Sequence, residues 1–355
     1  MLPPIAVASG PSVLGVLLTS KCNISCRHCC NDSHPSRSGA ARFEDIARII
    51  ETAREIPSIR EIGISGGEPF MFVDLLQRVV RFAGELGYTS SITTNGFWGR
   101  SQRATRLIRD LQRTGLRAIH ISTSVFHQEF LDLGTVIEAA NTALLAGLKV
   151  AINLVSTSSL SSNELQASLG DLADRVEIIV MPCQPVGRGA TEIRSDEFGP
   201  KFARPYGNCR EHFKKLAVDR RGDVYPCCSP GGFSPPLRMG NVNDASLRSI
   251  LDSAADSKLL AILEAVGPQF FLPFLRAAAG EADFPDKFND QCHLCHVMLS
   301  SNAYAQTISE AAEQLFSELA SLVTVEPPAE PVDRVFKLAA KRRTQAMHLE
   351  PHATG

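Results

Sequence analysis

A chain of 355 residues with a formal net charge of -2 and a hydrophobic fraction of 44% has apolar material for one large domain and a smaller one. So balanced a charge gives no field to gather nucleic acid or an anionic membrane surface, and neither is expected as a partner. The opening MLPPIAVASGPSV lacks a basic region followed by a long apolar core, and no run reaches the roughly 18 apolar residues of a membrane span, so the reading is cytoplasmic.

Ten cysteines in such a chain point to metal rather than disulfides, because a reducing compartment keeps thiols free. They fall into two sets. Cys22, Cys26, Cys29 and Cys30 lie at the front, Cys209, Cys227, Cys228, Cys292 and Cys295 towards the back, and Cys183 stands alone.

In chain order, β-rich runs at 13–20, 61–66, 89–95, 117–124, 149–157 and 177–183 alternate with helical spacing. Phe43, Ile46, Ile50 and Ala53 make one helical face; Ala104, Leu107, Ile108 and Leu111 a second; Leu165, Leu169 and Leu172 a third. This rhythm predicts βαβ units around a parallel sheet, either open and doubly wound or an incomplete barrel. Ser91, Thr93 and Asn95 share one face of the third strand, and His120, Ser122 and Ser124 one face of the fourth. A parallel sheet covered by helices on both sides is apolar on both faces, so a polar face favours a barrel whose lumen holds a polar ligand. Polar residues at strand ends are the plainer alternative.

After Arg194 the pattern breaks into Gly- and Pro-rich text over 199–240. Helical patterns follow, ending in one through Ile308, Ala311, Leu315, Leu319 and Leu322. Beyond Pro327 a Pro-rich and then basic stretch (Lys341, Arg342, Arg343) reads as a solvated tail.

The spacing Cys22-x3-Cys26-x2-Cys29 follows the first strand, at the end of a parallel sheet where active sites lie. Three soft thiolates on a short loop suit an iron–sulfur cluster and leave one iron open; zinc with Cys30 or His28 as fourth ligand is the alternative. At the end of the second strand stands Gly66-Gly67-Glu68-Pro69: glycines for close backbone approach to a ligand, a carboxylate for a cation, and a proline to start a helix.

These two motifs together make residues 12–195 resemble the radical S-adenosylmethionine (SAM) superfamily. The resemblance implies a partial (β/α)6 barrel of the α/β class, with Cys22, Cys26 and Cys29 holding a [4Fe-4S] cluster. The open iron is expected to chelate the amino and carboxylate groups of S-adenosylmethionine, and its cleavage to give a 5'-deoxyadenosyl radical that abstracts hydrogen from a C–H bond. Gly66, Gly67, Glu68 and Pro69 match the segment that receives the amino group, and His28 the position packed near adenine. Thr93, Asn95, Ser122 and Asn153 are candidate ribose or carboxylate contacts. Where many members carry aspartate this chain has Ser124, which puts the ribose contact in doubt; His127 beyond it is either substrate-facing or a cap. The stretch Pro185-Val186-Gly187-Arg188-Gly189 resembles a segment expected to line the adenosine site.

The second cysteine set resembles the twitch form of a SPASM domain, over 196–300, followed by a helix at 301–325 and the tail at 326–355. Cys209, Cys227, Cys292 and Cys295 are expected to close one auxiliary [4Fe-4S] cluster, with structural zinc as alternative. By the Gly-x4-Cys spacing from Gly222, Cys227 is preferred over Cys228; Cys30 is the spare thiol of the front set. Cys183 is either a small buried hydrophobe or a hydrogen-atom donor to a substrate radical.

By this resemblance the leading expectation is modification of a ribosomally made precursor peptide by crosslinking, oxidation or epimerisation. An electron donor such as flavodoxin or ferredoxin is implied, and a separate peptide-recognition protein would replace the recognition domain not seen ahead of Val13. A sugar or cyclitol alcohol dehydrogenase or epimerase is the second reading, and a non-catalytic metal-binding scaffold the third.

Overall fold

A computed structural model describes residues 10–205, 209, 212–229, 231–279, 284–300 and 302–323. The expected tail at 326–355 lies outside the described residues. Six strands, β1 (Val13–Thr19), β2 (Glu61–Gly66), β3 (Thr89–Thr94), β4 (Leu116–Thr123), β5 (Lys149–Ser156) and β6 (Glu177–Pro182), pair in parallel, each with the next. Helices α1 (Phe43–Thr52), α2 (Val73–Glu85), α3 (Ala104–Thr114), the short α4 (Val125–Gln128), α5 (Leu133–Leu145) and α6 (Ser162–Leu169) fill the crossovers.

Strand neighbours run in unbroken order from β1 to β6. A doubly wound sheet reverses that order at its switch point, whereas an unreversed run of right-handed crossovers lays every helix on one face. That is barrel winding, left open at β6. The burial pattern follows. Leu14, Val16 and Leu18 of β1, Ile62 and Ile64 of β2, and Ile119 and Ile121 of β4 are almost wholly buried against the helices, where they meet Ile46 and Ile50, Leu76 and Val80, and Ala139 and Ala143. Burying this much aliphatic side chain contributes on the order of 1.5–3 kcal/mol per residue. The opposite face carries half-buried Thr93, His120, Ser122 and Asn153, so it is the lumen. Ser122 lies directly across from Asn153, and Thr93 from His120.

The barrel and the region after it share one sheet. Beyond the short α7 (Gly189–Glu192), strand β7 (Lys215–Val218) pairs in parallel with β1, and β8 (Asp223–Tyr225) and β9 (Gly240–Asn241) extend the sheet antiparallel, giving nine strands. Helices α8 (Leu247–Ala254), α9 (Lys258–Ala265), α10 (Leu272–Ala279), α11 (Gln291–Leu299) and α12 (Ala305–Val323) complete it. Among the described residues no single helix is long and apolar enough to cross a membrane.

Candidate active site

The loop after β1 is fixed before any ligand is considered. Gly67 donates its amide to the Thr19 carbonyl at 2.7 Å, and Glu68 donates its amide to the Lys21 carbonyl at 2.9 Å. A Cβ on Gly66 would stand 2.3 Å from the Thr19 oxygen, and one on Gly67 2.1 Å from the Lys21 oxygen. The two glycines therefore let the second loop lie on the backbone that leads into Cys22. The expected close approach is made to this loop itself.

Glu68 is fully buried. Its Oε1 accepts from the Phe70 amide (3.0 Å) and the Thr94 hydroxyl (2.9 Å), and its Oε2 from the Asn95 amide (2.8 Å). Burial pushes its carboxyl up to about 7 against these three donors, which favour the ionised form. Pro69 starts the turn of 3-10 helix (Pro69–Phe72) that Glu68 caps. Thr94, on the helix-facing side, was absent from the sequence candidates; it also accepts from the Trp98 indole at 3.2 Å. A buried threonine ending a strand offered no signal that separates it from Thr93.

Asn95 donates from its side chain to Asn23 Oδ1 at 2.8 Å and approaches Cys22 Sγ at 3.8 Å. Cys22 and Cys26 are buried and Cys29 half-buried, while Cys30 is exposed. Burial drives the thiol of Cys22 up to about 11 and that of Cys26 higher still, with neighbouring thiolates adding to both. An anionic sulfur in that position needs a cation to compensate it. Ser33 donates its amide to Cys29 Sγ at 3.3 Å.

Around the loop stand His28, Phe126 and His127. The His28 ring stacks on Phe126 at 5.2 Å and meets the edge of His127 at 4.6 Å. Ser124 Oγ lies 2.8 Å from His127 Nδ1 and accepts from the His127 amide at 3.2 Å, so Ser124 both caps α4 and holds the ring. Burial takes His127 down to about 4 and His28 well below its usual value, leaving both neutral at pH 7. Cys26, His28 and His127 bring one ligand atom each within 4.8 Å of one another. Cys183, at the end of β6, is buried among Cys22, Ile24, Cys26, Phe126, Ile193 and Phe198, with its thiol pushed up to about 12 by burial. Thr93, Ser122 and Asn153 lie on the lumen face of the neighbouring strands β3, β4 and β5. Asn153 Oδ1 and His28 Nδ1 are buried without a hydrogen-bond partner among the described residues.

The second cysteine set converges as well. Cys227 is buried, Cys209, Cys292 and Cys295 are half-buried, and Cys228 is exposed. The thiol of Cys295 is driven up by burial and then by Cys227, Cys292 and Cys209. Cys292 and Cys295 sit on α11, whose first turn is capped by Asp290.

A barrel wound in this sense, with three thiols on the loop after β1 and four more gathered beside it, is the framework of an iron–sulfur enzyme. Residues 16–164 match the model of the radical SAM superfamily, and residues 209–296 that of the SPASM iron–sulfur cluster-binding domain. YydG of Bacillus subtilis (strain 168), named as a candidate peptide biosynthesis protein, is 25% identical over 294 residues, 81% of this chain and 92% of its own. A GTP 3',8-cyclase of Rhodopirellula baltica is 30% identical over 166 residues, 43% of this chain and 44% of its own. The solved structure "Native anSMEcpe with bound AdoMet" shares the fold, with a TM-score of 0.52 at 14% identity over 88% of this chain and 99% of that one. The chain belongs to the radical SAM superfamily and carries a SPASM-type auxiliary domain.

Its cofactors are S-adenosylmethionine, a [4Fe-4S] cluster and an auxiliary [4Fe-4S] cluster. The donor set fits them. Buried thiols whose protons are lost only to a cation, beside orphaned polar atoms of His28 and Asn153, are what a cluster and a polar ligand would satisfy.

Proposed function

We propose that this radical SAM enzyme modifies a peptide. The observation that carries the reading is the match to YydG, which runs through the barrel and the auxiliary region together at 81% coverage of this chain. The cyclase match covers 43% of the chain and supports the class of chemistry without the substrate. The open edge at β6 agrees with the reading, because an unclosed barrel can admit a chain from the side.

In this reading Cys22, Cys26 and Cys29 hold the radical-site cluster, and Cys209, Cys227, Cys292 and Cys295 the auxiliary one. When bound, the cluster and S-adenosylmethionine supply one-electron hydrogen abstraction. The protein's part is to orient and to exclude. Gly66, Gly67 and Glu68 brace the cluster loop, and Asn95 fixes it through Asn23. His28 packs as an aromatic wall with Phe126. Thr93, Ser122 and Asn153 line the lumen as polar contacts for the ligand. Cys183 stands beside the cluster loop, as a donor to a substrate radical requires.

The test is anaerobic incubation of the cluster-loaded enzyme with S-adenosylmethionine, reduced flavodoxin and short precursor-like peptides encoded beside its gene. A peptide that loses hydrogen, or that gains deuterium from D2O at a backbone carbon, supports the reading. Oxidation of sugar or cyclitol alcohols with every peptide unchanged would replace it by the small-molecule reading.

A further inference from the structure

Residues 183–189 touch both cluster-bearing parts of the chain. On one side, Arg188 donates from Nε and Nη2 to the Cys26 carbonyl at 3.2 and 2.8 Å, and from Nη1 to the Ser33 carbonyl at 2.7 Å and Asp32 Oδ1 at 3.2 Å. Its backbone amide donates to the Cys29 carbonyl at 3.1 Å. The Arg188 side chain is only 11% exposed, so these bonds are sheltered from water. Gly187 has φ +59, and a Cβ there would stand 2.5 Å from the carbonyl oxygens of both Cys29 and Cys30. The segment thus lies flat against the cysteine loop, gripping the carbonyls between and beside its ligands.

On the other side, Gln184, itself buried, donates from Nε2 to both carboxylate oxygens of Asp290 at 2.7 Å. Asp290 Oδ1 also accepts from the His293 amide at 2.8 Å, capping the helix that carries Cys292 and Cys295. The Gln184 carbonyl accepts from the Val186 amide at 2.9 Å, so the turn between the two grips is tied within itself. Only three residues therefore separate a bond to the auxiliary-cluster helix from a bond to the radical-site loop.

We propose that residues 184–189 form a strap that holds the two clusters in one fixed relation, with Gln184 and Arg188 as its positioning residues. An electron or hydrogen step that involves both centres depends on their separation, and here that separation is set by two short hydrogen-bonded grips on one turn. The strap concerns how the clusters are held and does not depend on which substrate is used.

Its signature is an effect at a distance. Gln184→Leu removes a contact to the auxiliary helix, yet it should also disturb the radical site. The experiment compares cluster-loaded wild type, Gln184→Leu, Arg188→Lys and the double variant by iron content, by electron paramagnetic resonance of the reduced clusters, and by titration of S-adenosylmethionine followed in that spectrum. Gln184→Leu should keep its iron, shift the spectra of both clusters, and bind S-adenosylmethionine about fivefold more weakly. The double variant should lose less than the product of the single losses, because both act on one element. Asp290→Asn keeps the cap through Oδ1 but sets its amide N–H against that of Gln184, and should weaken binding in the same direction as Gln184→Leu. A Gln184→Leu protein altered at the auxiliary cluster alone, or losses that multiply fully, would overturn the strap. If Gln184→Leu does not fold, Gln184→Met supplies the same comparison.

Discussion

The carboxylate of Glu68 accepts from the backbone amide of Asn95 at 2.8 Å, and the side chain of the same Asn95 donates to Asn23 Oδ1 at 2.8 Å. The loops after β1, β2 and β3 are thereby locked together through one buried acid. Three donors converge on it, so replacing one of its oxygens by an amide sets N–H against N–H. Glu68→Gln should lose about 1–3 kcal/mol of stability in urea unfolding of the cluster-free protein, and should retain less radical-site iron after reconstitution. Wild-type behaviour on both counts would show that the three bonds contribute nothing.

Gly67→Ala should be more damaging than its size suggests. The added Cβ meets backbone rather than a flexible side chain, 2.1 Å from the Lys21 oxygen and 3.1 Å from the Cys22 nitrogen. The loop has to move, and its first ligand with it. We expect loss of the visible absorbance of the radical-site cluster, with the auxiliary cluster kept.

Cys30→Ala should keep both clusters, since the Cys22-x3-Cys26-x2-Cys29 spacing supplies the three ligands without it, while Cys29→Ala should lose the radical-site cluster. Iron analysis of the two variants, beside Cys292→Ala as a marker for the auxiliary site, separates the three cases. Equal iron in Cys29→Ala and wild type would sink the assignment.

Cys183 has two possible employments that one measurement divides. Its side chain is 1% exposed and packed among Cys22, Cys26 and Phe126. As a hydrogen donor, its replacement by Ser should abolish deuterium uptake from D2O into the peptide while 5'-deoxyadenosine still forms. Unchanged uptake would leave it a packing residue.

His212 supplies a pH dependence. It is buried, neither ring nitrogen has a partner among the described residues, and burial lowers its pKa to about 4. A histidine depressed in the fold is neutral in both states above its unfolded value of about 6.5, so stability is flat there. As pH falls from about 6.5 towards 4, the unfolded chain takes up a proton that the fold refuses, and stability should fall by about 3 kcal/mol. Thermal unfolding of wild type and His212→Phe between these limits checks it, the variant showing the shallower slope.

The strands and the first ligand set were legible because their signals are local. Alternating burial and the spacing of Cys22, Cys26 and Cys29 depend on residues a few positions apart, and β2 runs from Glu61 to Gly66 as its pattern predicts. Polar Thr93 and Ser122 pointed to a lumen for the same reason, since side chains in a strand alternate. Glu68 was legible as an acid at a loop but not as the hub of three donors, because those donors come from residues up to 27 positions away.

What the sequence determined by itself is the kind of chemistry: soft ligands at fixed intervals on one loop, a glycine pair on the next, and a second set of thiols far along the chain. Tertiary structure decided how those parts are joined. Only pairing across the sheet could place β7 beside β1, and only folding could bring Gln184 to Asp290, 106 positions away, or Arg188 to the Cys26 carbonyl, 162 positions away. Backbone hydrogen bonds and buried carbonyls carry no residue-type signature, so the contacts that hold the clusters in place are written in geometry that a linear reading does not contain.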